Sequence, residues 1–260
     1  MPWAVRRRII YALGVFVFLA VVIGAPVAYH FFSIKPTCHD GKQNQGETSP
    51  DHGGPCLFLD ATSLQSSAIL WARTFKVRAG LYDAVAYIDN PNAAAGVMSV
   101  GYRFGLYDAQ NVLVSERTGN TFVMPGGITP VFVGGIDTGS RDAVRAYLEF
   151  TEPRVWIRAS NTAKAVVVTN PSVSNIDTEP RVTAIATNNS VRSVTSVIFV
   201  ATVFDPAGNA IASSQTALPK LAPGDSMQIT FTWPDPFVSS VGRVDIIPVV
   251  APVPDKNALQ

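Results

Sequence analysis

The sequence predicts a mainly β chain, with an N-terminal transmembrane helix followed by two tandem antiparallel β-sandwiches. Three observations carry that prediction. Residues 9–28 run for twenty positions without a charge, directly after Arg6, Arg7 and Arg8. From residue 60 onward, short alternating segments are separated by Gly, Pro, Asn and Asp, the pattern of strands joined by turns. A block of about 97 residues then occurs twice in succession.

The apolar run comes first. In a helix it extends about 30 Å, the thickness of a bilayer's hydrocarbon core. It is apolar on every face, which a half-buried soluble helix is not. A cleavable signal peptide carries a shorter apolar stretch, about 7–15 residues, and a small-x-small cleavage site. Here Pro26 would stand at −3 of a cut after Ala28. Trp3 at one end and Tyr29, Phe31 and Phe32 at the other supply interface aromatics. Residues 1–8 therefore read as a basic cytoplasmic N-terminus and 9–32 as a retained single-pass signal-anchor in the lipid bilayer. The positive-inside rule keeps the arginines in the cytoplasm and delivers everything after the anchor outside.

Composition then narrows the function. Lys and Arg total 20 against 19 Asp and Glu, a net charge of +1, so no basic field favours nucleic acid. The histidines, His30, His39 and His52, and the cysteines, Cys38 and Cys56, all precede Leu57. A Ser-His-Asp triad, a Cys-His pair or a histidine-ligated metal therefore cannot be assembled within the main body. Two carboxylates would suffice for a glycosidase, but the acids are scattered, mostly beside turn residues. The chain reads as a non-enzyme. In an oxidising compartment the two cysteines, eighteen residues apart, read as one disulfide.

Residues 84–92 align with 182–190, 102–116 with 199–214, 123–133 with 220–233, and 143–150 with 241–249. Tyr107-Asp108 falls on Phe204-Asp205 at an offset of 97, and Pro125-Gly126 on Pro223-Gly224 at 98. The extra residue sits in the turn Asp205–Asn209, where insertions are tolerated. Tyr102, Phe104 and Leu106 alternate with Arg103, Gly105 and Tyr107, which predicts a strand with Phe104 and Leu106 inward. In the second copy Val197, Phe199, Ala201 and Val203 share one face, with Ile198, Val200, Thr202 and Phe204 opposite. Both faces are apolar, so that strand is expected to be central and covered on both sides. Residues 152–164 read as a connection, although Val155, Trp156 and Ile157 are able to pair as a strand. The expected units are 60–152, 153–251 and a C-terminal tail 252–260.

Phe104-Gly105-Leu106-Tyr107-Asp108 resembles the name motif of the FxLYD domains, small extracytoplasmic immunoglobulin-like sandwiches. The similarity extends to an Asn-rich strand end before the motif and a Pro-Gly turn about seventeen residues after it. The second copy reads Ala201-Thr202-Val203-Phe204-Asp205, which departs at the first position. The resemblance implies two tandem antiparallel immunoglobulin-like β-sandwiches and no activity. Physically, Phe104 and Leu106 contribute about 1.5–3 kcal/mol each on burial. Asp108 begins a turn, where its carboxylate can accept backbone N–H bonds. Pro125-Gly126-Gly127 and Pro223-Gly224-Asp225 are likewise turn chemistry, and the Asn188-Asn189-Ser190 sequon is read as local structure.

The loop at 33–59 resembles a cysteine motif of bacterial cell-surface proteins, C-x-D-G-x-x-N-x-x-E-x-x-x-D-C-G-G-x-C. Cys38, Asp40, Gly41, Asn44, Glu47, Asp51, Gly53, Gly54 and Cys56 stand at its positions, and His52 replaces its middle cysteine. Three readings are open. A disulfide-closed knot would be stabilised by about 3 kcal/mol through loop closure. A calcium site would use Asp40, Asn44, Glu47 and Asp51 as oxygen ligands. A zinc site would use Cys38, His39, His52 and Cys56, with adjacent ligands poorly suited to a tetrahedron. No other cofactor is expected. The function expected is a membrane-anchored envelope protein with structural or interaction roles toward an envelope protein or polymer. An accessory or sensor subunit scaffolding an envelope enzyme is the alternative, and a carboxylate-dependent hydrolase the third.

Overall fold

The computed structural model describes residues 3–33 and 37–258. The first two residues of the expected cytoplasmic segment, 34–36 of the loop and 259–260 of the tail lie outside these. Helix α1 (Trp3–Ser33) takes in the three arginines and the whole apolar run, with Pro26 inside it. None of its Trp3–Tyr29 span is buried by protein, and it is long and apolar enough to cross a membrane. An apolar helix with no protein cover is what a lipid environment accommodates.

The body is built from antiparallel strands, and the expected fold class holds. Its first part contains β1 (Ala68–Arg78), β2 (Leu81–Asn90), β3 (Ala95–Tyr107) and β4 (Leu113–Val123). There follow β5 (Gly127–Asp137), β6 (Arg145–Phe150) and β7 (Trp156–Ser160). Then come β8 (Val166–Ser174), β9 (Arg181–Asn188), β10 (Val194–Phe204) and β11 (Ala210–Leu221). The chain closes with β12 (Ser226–Thr232), β13 (Arg243–Val249) and β14 (Val253–Pro254). The strands form four sheets, β1-β2-β5, β14-β7-β3-β4, β11-β10-β13 and β12-β9-β8, with β6 also paired to β3.

Strand alternation explains the layering. Ala84, Ala86 and Ile88 point from β2 into one core with Val97, Phe104, Leu106 and Trp156. Their neighbours Val85 and Tyr87 point the other way and join a second core with Val200, Phe199, Val182 and Phe231. Successive β residues face opposite sides, so β2 is buried on both. The same holds for β10, where only Thr195 and Ser196 are exposed. The sheets therefore stack four deep, with β1-β2-β5 and β11-β10-β13 as the two inner layers.

Strand pairing departs from the expected unit limits at 153 and 252. Residues 156–160 join β3 through Ala95↔Arg158, Gly96↔Ile157 and Val97↔Trp156. The end of the chain returns to the same sheet through Val253↔Ser160 and Pro254↔Ala159. The reason lies in β3. Strand β6 covers its edge only from Tyr102 to Tyr107, which leaves Ala95–Val97 for β7, and the Trp156 side chain fills the first core.

Candidate functional site

The disulfide loop is shaped by its own polar side chains. Cys38 and Cys56 are bonded to each other, Cα atoms 5.6 Å apart, and both are buried. Asp51 Oδ1 accepts N–H from Asp40 at 2.9 Å and from Gly41 at 3.1 Å. Asp40 Oδ1 accepts from Lys42 N at 2.9 Å, and its Oδ2 from Asn44 Nδ2 at 2.9 Å. That backbone bond holds the Asp40 carboxyl below its ordinary value, burial partly opposing it. Glu47, 6% exposed, accepts from Asn44 N at 3.1 Å and Asp51 N at 3.3 Å through Oε2. The loop docks on the first sandwich. Phe58 bridges Ile157, and Arg158 Nη2 donates to Gly54 O at 2.6 Å.

These bonds bear on the metal readings. The three carboxylates each accept loop N–H groups, so a calcium ion would have to share or displace the bonds that shape the turns. Among the described residues of the loop, Asn44 Oδ1 is buried with no partner. The donor set is built to hold backbone, and its fit to calcium is poor. For zinc, sulfurs bonded to each other offer no thiolate. His52 Nδ1 lies 2.7 Å from Pro50 O, where it donates as N–H.

The motif residues lie at the turn ends of β3 and β10. Phe104, Leu106 and Val203 are 0% exposed, and Phe204 is 5% exposed. Tyr107 stacks edge-on against Tyr147, ring centroids 5.4 Å apart. Asp108 Oδ1 accepts from Gln110 N at 3.0 Å and Val112 N at 2.9 Å. Asp205 Oδ1 accepts from Asn209 N at 2.8 Å. The Val112 N–H bond, with Arg141 beside it, lowers the Asp108 carboxyl pKa. The Asn209 Nδ2 bond to Asp205 Oδ2 at 3.0 Å, with that residue's own N–H, lowers that of Asp205.

Sequence reasoning did not single out the paired asparagines. Asn90 and Asn188 are both 0% exposed. Asn90 Nδ2 donates to Ala95 O at 2.7 Å and Met124 O at 2.8 Å. Asn188 Nδ2 donates to Arg192 O at 2.8 Å and Leu221 O at 3.0 Å. Each ties a strand end to the Pro-Gly turn of its own half, and an apolar residue there would orphan several buried carbonyls. Asn188 is also the acceptor position of the sequon, and its buried, bonded amide is closed to glycosylation.

The seam between the inner sheets also went unread. Tyr87 OH donates to Thr202 Oγ1 at 2.9 Å, fully buried. Burial pushes the Tyr87 phenol up to about 12, the bond to Thr202 partly opposing it. Trp71 packs on Tyr87 with ring centroids 4.2 Å apart and meets Phe204 edge-on at 6.4 Å. The Arg243 guanidinium sits 3.9 Å above the Phe204 ring, a cation–π contact that covers the seam's margin. Trp233 Nε1 donates to Ser213 O at 3.1 Å behind it. The signal in the sequence was β2 itself, whose Val85 and Tyr87 are apolar on the face opposite Ala84 and Ala86.

No family model matches the chain, and no curated protein matches it. Among solved structures it is similar to red sea bream transglutaminase at 10% identity and TM-score 0.23, covering 72% of this chain and 31% of that one. It is also similar to a Bacteroides uniformis beta-glucuronidase at 11% identity and TM-score 0.19, covering 68% and 22%. A putative beta-galactosidase from Bacteroides fragilis gives 9% and 0.19, covering 71% and 40%. The chain thus spans less than half of each, and likeness at such TM-scores carries no argument.

Proposed function

We propose that this protein is a non-enzymatic, single-pass membrane protein of the cell envelope. Its N-terminus lies in the cytoplasm, and two tandem immunoglobulin-like domains are displayed outside for structural or interaction roles. The observation that supports this best is the seam. A core continuous from one sandwich into the other through Val85 and Tyr87, with Trp71 packed on Tyr87 and edge-on to Phe204, holds both domains as one stiff body. Such a body suits a spacer or a docking platform, while the uncovered apolar helix supplies the attachment. The repeated Asn90 and Asn188 brackets and the Asp108 and Asp205 turns support descent of the domains from one duplicated unit. In this reading the Cys38–Cys56 loop is a knot that joins anchor to body, its acids serving the turns.

Protease added to intact spheroplasts tests the placement. Digestion of the body, with only an N-terminal peptide surviving in carbonate-washed membranes, is the expected result. A protected body, or a soluble mature chain beginning near Tyr29, overturns it.

A further inference from the structure

Two clefts meet where the first sandwich adjoins the second. One, of about 660 Å³, lies between β7, the β2–β3 turn, the β9–β10 loop and the C-terminal segment. Arg158, Lys164, Arg192 and Lys256 line it, against a single acid, Asp255. None of the four cations takes part in an ion pair among the described residues. Asp255 is itself occupied, its Oδ1 accepting from Asn257 N at 2.9 Å. In a chain of net charge +1, this is a local concentration of positive charge in a concave site, where field lines focus.

The second cleft, of about 680 Å³, is of the opposite character. Phe122, Val191, Val194, Ile198, Val250 and Pro252 contribute its apolar wall. Arg192 and Val253 line both clefts, so the two are neighbours across those side chains. The short turn Thr162–Ala165 divides its residues the same way, with Lys164 on the cationic side and Thr162 and Ala165 on the apolar side. Both volumes fall in the range of small-molecule sites, about 300–1,000 Å³.

We propose that this bipartite groove binds an amphiphilic anion, a phosphate or carboxylate head joined to an acyl-like chain. The cationic cleft takes the head through charge-assisted hydrogen bonds from Arg192, Lys164 and Lys256. The apolar cleft takes the chain, whose burial supplies affinity that a bare anion lacks. Charge complementarity and adjacency select this ligand over a neutral one, which would leave the cations unused. They also select it over a simple anion, which would leave the apolar wall wet. The inference rests on the groove and not on which side of the membrane the body occupies. A bilayer lipid and a free amphiphile share this chemistry.

The test uses the full chain in phosphatidylcholine nanodiscs, titrated calorimetrically with hexyl phosphate, inorganic phosphate and hexyl glucoside, with empty discs subtracted. Hexyl phosphate is expected to bind about tenfold or more tightly than either control. Lys164→Ala with Lys256→Ala should weaken it about tenfold. Thr195→Trp, which fills the apolar cleft from an exposed position, should reduce it to the level of inorganic phosphate. Both variants should keep the parent's circular dichroism and melting temperature. Phosphatidylglycerol in the discs blocks the titration if the bilayer supplies the ligand and leaves it unchanged if the ligand is free, and either supports the site. Hexyl phosphate binding no tighter than inorganic phosphate overturns the proposal. So does tight binding indifferent to both variants, or binding only of an acidic peptide in place of hexyl phosphate.

Discussion

The two sandwiches use their inner strands alike and their outer edges differently. Strands β2 and β10 are each buried on both faces, and they meet at the Tyr87–Thr202 hydrogen bond. Yet β10 is apolar on both faces along most of its length, whereas β2 carries Asp83 and Asp89 among its apolar residues. At the edges the contrast is larger. Strand β7 of the first sandwich is covered by the two ends of the body, Phe58 on one stretch and Val253-Pro254 on the next. Among the described residues, no further strand pairs with β8 or β12 beyond β9. The lesson is that two halves built alike at their centres differ where each meets something else, on the faces of the inner strands and at the sheet edges.

Cutting one core is the strongest way to break this comparison. Phe104→Ala should cost about 3–5 kcal/mol, since the ring is completely buried. If the seam joins the sandwiches, urea denaturation of this variant should show one transition shifted as a whole. Two separated transitions, the second at the parent's midpoint, would show that the domains are only tethered.

The edges come next. Replacing Cys38 and Cys56 by serine removes a loop closure worth about 3 kcal/mol, and it should act on the loop alone. Trypsin cleavage after Lys42 should accelerate strongly while the melting of the body stays put. Non-reducing peptide maps of the parent should show the 38–56 cross-link in nearly every molecule. Millimolar calcium should slow that cleavage little, because Asp40, Glu47 and Asp51 already accept backbone N–H groups. Strong protection by calcium, reversed by EDTA, would restore the metal reading.

The seam can be titrated. The Tyr87 phenol is raised to about 12 from an ordinary 10.0. Its contribution is fully present below pH 10 and is lost as pH climbs toward 12, where the unfolded chain ionises first. Stability should fall by about 2–3 kcal/mol over that window. Tyr87→Phe should cost only about 1 kcal/mol at neutral pH and flatten the alkaline fall.

Asp83, at the start of β2, gives the smallest effect. Burial holds its carboxyl above the ordinary value, against the bond from Gly135 N. A carboxyl raised in the fold favours folding most when protonated, so its cost grows as pH rises through the acidic range. Asp83→Asn keeps the acceptor for Gly135 and should slightly raise stability at pH 7, by less than about 1 kcal/mol, while removing that acid dependence.

By itself the sequence determined what depends on local periodicity and composition. Twenty uncharged residues dictate a helix that no polar face suits to a soluble core. Alternation at Tyr102–Tyr107 and at Val197–Phe204 dictates strands, because side chains of a strand part to opposite faces. Two cysteines with no third competitor dictate one bridge. The tertiary structure decided whatever depends on what a face or an edge meets. Trp156 belongs to the first sandwich because β6 leaves the far end of β3 unpaired. Val253 returns to that sheet because β7 still offers backbone donors and acceptors there. Tyr87 is buried because a second sheet arrives to bury it. The four cations of the groove lie far apart in the chain, at positions 158, 164, 192 and 256, and only folding brings them to one cleft. Periodicity records which way a side chain points, and it carries no record of what will stand opposite.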